Sequence, residues 1–204
     1  ENKVQRSSNI ELFRIIAMLG IMMSHYQFFL QKQMQIDPLL SMSTFHYMFG
    51  MLGKTGINCF MLITGYFMCE KSITVKKYLR LLTQIYFYNI IIRSIFIFEG
   101  SIPFTLSSVF DIIFPFRTIQ ADSFVTDFLW FYLTIPFLSI LVHNMNRKQH
   151  GLLVLLLSVI YVGYHLPVLS ISCDPIIWFG YLFYVASYSR LYVQFPKYSK
   201  YALG

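Results

Sequence analysis

Residues 9–30 read NIELFRIIAMLGIMMSHYQFFL, a run of 22 residues whose apolar content suits the ~30 Å hydrocarbon core of a bilayer if it is helical. Its ionisable residues are Glu11, Arg14 and His25. The run is longer than the apolar core of a secretory signal and lacks a small-residue cleavage site, so it is read as an anchored helix. Eleven steps of about 100° bring His25 to within about 20° of Arg14, so the two share one helix face, ~16 Å apart along the axis.

That face must look into protein or water, because a charged group facing lipid costs at least ~2.5 kcal/mol even on the forgiving insertion scale. Glu11 precedes Arg14 by three positions, within ion-pairing reach on a helix, and so supports it structurally. For Arg14 the competing reading is a side chain that snorkels to the headgroups. For His25 it is a neutral residue hydrogen-bonding between helices. Imidazole can also take a proton from a hydroxyl near neutral pH, which makes His25 the candidate for chemistry. His46, His143, His150 and His165 are read as surface or interfacial residues.

Working outward, the composition agrees with a lipid solvent. Hydrophobic residues make up 56% of the 204 and charged residues 12%, too little polarity for an ordinary water-solvated surface. Five further apolar runs follow, and the fold class is all-α, a polytopic transmembrane bundle of about six spans near 9–30, 44–69, 79–99, 123–142, 152–171 and 175–194. Between the third and fourth, Val109 to Phe116 has the apolar content of a short helix along the interface, in a connection read either as part of an extracytoplasmic entrance or as a solvated loop.

The cations test this division. Lys3, Arg6, Lys71, Lys76, Lys77, Arg80, Arg147, Lys148, Arg190, Lys197 and Lys200 fall on one side, whereas the other holds only Lys32 and Arg117 with several acids. The positive-inside rule then makes both termini cytoplasmic, in a multi-pass protein of the cytoplasmic membrane. It also accounts for the net charge of +7 without nucleic acid, for which no aromatic-interleaved basic groove is present. Lys54 and Arg93 fall inside spans and are read as lining the polar interior. Cys59, Cys69 and Cys173 have no metal-ligand spacing, and the first two lie ~15 Å apart on a continuous helix, beyond disulfide reach.

Asn9-Ile10-Glu11-Leu12-Phe13-Arg14-Ile15-Ile16-Ala17, followed by His25, resembles the first-helix signature of membrane-bound acyltransferase family 3, in which Arg, ten residues and His recur. The stretch Gly56 to Phe67, with Gly56, Phe60, Thr64 and Gly65, resembles that family's second-helix segment, and its small residues favour close helix approach. Lys77-Tyr78-Leu79-Arg80 resembles the family's Arg-x-x-Arg loop, with Lys in the first place, which keeps the charge but loses bidentate phosphate recognition. Leu129 to Leu133 and Phe179 to Phe183 are weaker matches.

The resemblance implies a membrane O-acyltransferase that moves an acyl group, expected to be acetyl, from acyl-CoA to a hydroxyl of a surface or lipid-linked glycan. Acetyl-CoA is then a co-substrate, and neither a bound cofactor nor a metal is expected. Lys76, Lys77 and Arg80 are the donor-phosphate candidates, Arg14 helps fix the donor, and His25 is either general base or transient acyl carrier. Family members have about ten spans, so residues 1–204 are expected to form a single, incomplete transmembrane domain. Two other readings are a transporter or channel lined by Arg14, His25, Lys54 and Arg93, and a truncated, inactive member.

Overall fold

The computed structural model describes residues 8–34, 41–71, 73–113, 124–163 and 175–193. Seven α-helices and no strands are found among them: α1 Ser8–Met34, α2 Ser41–Met68, α3 Val75–Phe98, α4 Leu106–Ile113, α5 Phe124–Asn144, α6 Arg147–Gly163 and α7 Pro175–Tyr192. The six long helices fall on the six apolar runs, and α4 overlaps the expected interfacial helix, shifted three residues earlier. The expectations for both termini, Lys32, His46, Arg117, His165 and Cys173 concern residues or side chains outside those described.

Local chemistry sets several boundaries. At the start of α6, Asn146 Oδ1 accepts from Gln149 N at 2.9 Å while Gln149 Oε1 accepts from Asn146 N at 3.0 Å, a reciprocal capping box. α3 stops where Gly100 adopts φ +82, a conformation that suits glycine, and donates to the Ile97 carbonyl at 3.1 Å. Pro175 opens α7, where its missing N–H is not needed.

α3 and α5 are long and apolar enough to cross a membrane by length and composition. No residue of α3 is buried, and Tyr88, Ile95 and Phe98 are 61%, 58% and 95% exposed. Apolar surface on that scale belongs against hydrocarbon or another protein rather than water.

The chain divides into two compact units. The second, Glu70–Leu141, holds α3, α4 and most of α5. Within it Tyr78 stacks on Tyr132 with centroids 6.1 Å apart. Asn89 donates to the Ile112 carbonyl at 3.3 Å and so ties α4 to α3.

The first unit, Glu1–Cys69 with Val142–Gly204, holds α1, α2, α6 and α7. α1 runs antiparallel to α2. Gly56 meets Ala17 and Ile21, Leu52 meets Gly20, and Gly53 meets Ser24, so position rises on one helix as it falls on the other. α2 and α7 are parallel, with Asn58 opposite Trp178, Gly65 opposite Phe183 and Ala186, and Tyr66 opposite Arg190. α6 returns antiparallel to α7, pairing Tyr161 with Trp178, Ser158 with Tyr181 and Gly151 with Tyr188. Small residues at these seams let the helices approach closely enough for extensive dispersion contacts.

His150 corrects the sequence expectation of a surface residue: it is 0% exposed. Its Nε2 donates to the Tyr184 carbonyl at 3.1 Å, and the rings of Tyr188 and Tyr192 stand edge-on at 5.3 and 5.7 Å. A polar loop residue in sequence becomes core because the capping box starts α6 three residues earlier and turns the ring onto α7. Replacing His150 with alanine should destabilise the first unit by roughly 2–4 kcal/mol, from the lost ring contacts and the orphaned Tyr184 carbonyl. Thermal unfolding of the detergent-solubilised protein, read beside wild type, measures it.

Candidate active site

Arg14 and His25 lie on one unbroken helix, α1. On α1, Ala17, Gly20, Ile21 and Ser24 meet Gly53, Gly56 and Leu52 of α2. Arg14 and His25 therefore stand at the border of the packed seam. Arg14 is partly buried, and its guanidinium carbon lies 5.9 Å from the centre of the Phe67 ring. Its Nε is buried without a hydrogen-bond partner among the described residues. Glu11, one turn earlier, is close enough to act on it electrostatically.

His25 is exposed and sits next to Ser24, whose hydroxyl donates to the Ile21 carbonyl at 2.8 Å and lies against Gly53. Because α1 and α2 are antiparallel, Arg14 points to the end of the unit where α2 finishes, and His25 stands toward the opposite end.

The glycine-rich segment of α2 is shared between two neighbours. A Cβ on Gly56 would come within 2.6 Å of the Ala17 carbonyl oxygen on α1. A Cβ on Gly65 would come within 3.0 Å of the Ala186 Cβ and 3.1 Å of the Phe183 Cα on α7. Thr64 is buried and returns its hydroxyl to the Phe60 carbonyl at 2.8 Å, so it presents no spare donor to a substrate. These contacts make the segment a packing element that holds α1 and α7 to opposite flanks of α2.

Lys76, Lys77 and Arg80 belong to the second unit and are all exposed in the first turns of α3. Thr74 precedes the helix without a side-chain cap, and the first turn holds no acid. Cations at the positive end of a helix are disfavoured by about 0.3–1 kcal/mol each, a penalty that an arriving polyanion reverses. Lys54 is exposed, and Arg93 donates from Nε to Asn89 Oδ1 at 3.3 Å, beside the bond that ties α4 to α3.

A family model described as an acyltransferase domain matches residues 7–197. The chain belongs to acyltransferase family 3. No curated protein and no solved structure matches it. Membership in acyltransferase family 3 makes the chain a transferase of acyl groups, and the match extends through both units and all seven helices.

Two arrangements around this family core were not read from the sequence. Trp178 Nε1 donates to Asn58 Oδ1 at 2.8 Å, joining α7 to α2 beside Tyr161 and Tyr181. Arg190 lies over the Tyr66 ring at 4.9 Å and donates from Nη1 to its hydroxyl at 3.2 Å. In the sequence, Arg190 reads only as a topology-setting cation. Nothing in a linear sequence marks a pairing across 124 positions, so no local signal could have found it.

Proposed function

We propose that this acyltransferase is a multi-pass protein of the cytoplasmic membrane that transfers an acetyl group from acetyl-CoA to a hydroxyl of a surface or lipid-linked glycan. The observation that carries the reading is the family's Arg and His pair on one face of α1, with the guanidinium partly buried beside α2 and its Nε lacking an acceptor. A buried cationic N–H without an acceptor favours an anionic or carbonyl-bearing ligand.

In this reading Lys76, Lys77 and Arg80 receive the donor phosphates, and Arg14 fixes the donor. His25 takes the acceptor hydroxyl proton as that oxygen bonds to the thioester carbonyl carbon. The carbon–sulfur bond breaks, and the proton passes to the departing thiolate. In the carrier variant, the imidazole nitrogen first bonds to that carbon and expels the thiol, and the hydroxyl then accepts the acyl group. Either route needs His25 accessible to substrate, which its exposed position permits.

Mass spectrometry of surface glycans from cells with and without the gene is the direct test: acetyl ester should appear only with it, and identical spectra would refute the acceptor class. Converting Lys76, Lys77 and Arg80 together to glutamine should raise KM for acetyl-CoA by about tenfold or more, as three charge-assisted contacts are lost, with a smaller change in kcat. An unchanged KM would remove α3 from donor binding.

A further inference from the structure

Trp178, Tyr181 and Tyr161 form a triangle of rings where α6 ends and α7 begins, with centroids 5.2, 5.6 and 6.0 Å apart. None of the three is fully buried. Trp178 Nε1 donates to Asn58 Oδ1 at 2.8 Å, which orients the amide and leaves its Nδ2 hydrogens without an acceptor among the described residues. Ser158 Oγ donates to the Val154 carbonyl at 2.7 Å, so at its 3.0 Å contact with Tyr181 the phenol is the donor. Tyr181 Oη therefore keeps its acceptor capacity.

We infer that this cluster is a saccharide subsite, holding a unit of the acceptor glycan other than the one acylated. The inference deepens the proposed function and rests on its acceptor class. A pyranose offers an apolar C–H face that suits the negative face of an aromatic ring, and a rim of hydroxyls that both donate and accept. The cluster supplies the complement: ring surface, an amide NH₂ and a phenolic acceptor. A phosphate has use only for donors, and an acyl chain would leave both polar groups unpaired. Asn58 falls inside the second apolar run, where an N–H without an acceptor is costly unless water or a polar ligand reaches it.

The placement fits an acceptor. Asn58 is nearer along α2 to Gly53, which meets Ser24 beside His25, than to Phe67, which meets Arg14. The cluster lies on the α7 side of α2 and His25 on α1 at the other flank, so the sugar held here is not the one that reacts.

The test uses membranes holding the full chain, labelled acetyl-CoA and, as acceptor, the surface glycan of the producing cells freed of esters by mild alkali. Tyr181→Phe removes one oxygen and should raise KM for the glycan about three- to tenfold, the effect of one hydrogen bond, while KM for acetyl-CoA and kcat stay within about twofold. Trp178→Leu removes the largest ring and should raise it by about tenfold or more. If Trp178→Leu does not fold, the more conservative Tyr181→Phe decides. A second readout needs no turnover: Trp130→Phe leaves Trp178 as the only indole, and the glycan, but not acetyl-CoA, should shift its emission saturably.

An unchanged KM for the glycan in folded Tyr181→Phe, or equal rises in both KM values, would overturn the subsite while the acceptor class stands. No transfer to the glycan by wild type would remove the acceptor class and the subsite with it.

Discussion

Replacing His25 with alanine should lower acyl transfer by about 100- to 10,000-fold, the usual contribution of a positioned general base, while the protein still inserts and folds. The expectation follows from where the imidazole stands. His25 is exposed at the edge of the α1–α2 seam, and Ser24, not His25, makes the contact with Gly53. Truncating an exposed side chain usually changes stability little, so the loss should fall on chemistry. Glutamine at position 25 keeps hydrogen-bonding capacity but has no basic nitrogen to take the proton, so it should fail nearly as badly. Acetyl ester formed by membranes supplied with labelled acetyl-CoA gives the readout. Activity in the alanine variant within a fewfold of wild type, at equal protein level, would exclude both the base and the carrier role.

The second large effect is structural. Gly56→Val should dissociate the α1–α2 seam, because the new Cβ would stand 2.6 Å from the Ala17 carbonyl oxygen and 3.2 Å from Ile21 Cγ1. The first is backbone and cannot swing aside, so the helices must part along the stripe that also sets the height of Arg14 and His25. Overpacking of this kind costs typically ~1–3 kcal/mol, and here it also disturbs the neighbouring Gly53–Ser24 and Gly20–Leu52 contacts. Gly180→Ala is the matched control. Its Cβ would meet nothing within 4 Å, and it lies inside α7, so better helix propensity should leave thermal stability at or above wild type by up to about 1 kcal/mol. Equal stability of Gly56→Val and Gly180→Ala would show that the close approach at Gly56 is not needed.

The helices and the candidate acyl-transfer pair were legible for different reasons. Apolar runs of about twenty residues are long enough for several helical turns that satisfy their own backbone, and each long run became a helix, with ends shifted by caps such as Asn146–Gln149. Arg14 and His25 share a face through helical periodicity alone, a purely local relation. The burial of His150 was not legible, because two sequence neighbours, Arg147 and Lys148, are exposed cations and only contact with α7 reveals the ring's surroundings.

Sequence by itself determined that this chain is helical, that its polar residues on α1 form a stripe, and that its motifs are those of acyltransferase family 3. These are properties of spacing along one strand of chain, which periodicity and solvent preference encode directly. Tertiary structure alone decided which helix each stripe meets, that Gly56 and Gly65 serve opposite flanks of α2, and that Arg190 lies over the Tyr66 ring. Those pairings depend on the register of helices far apart in sequence, and register is fixed by which small residues allow the closest approach.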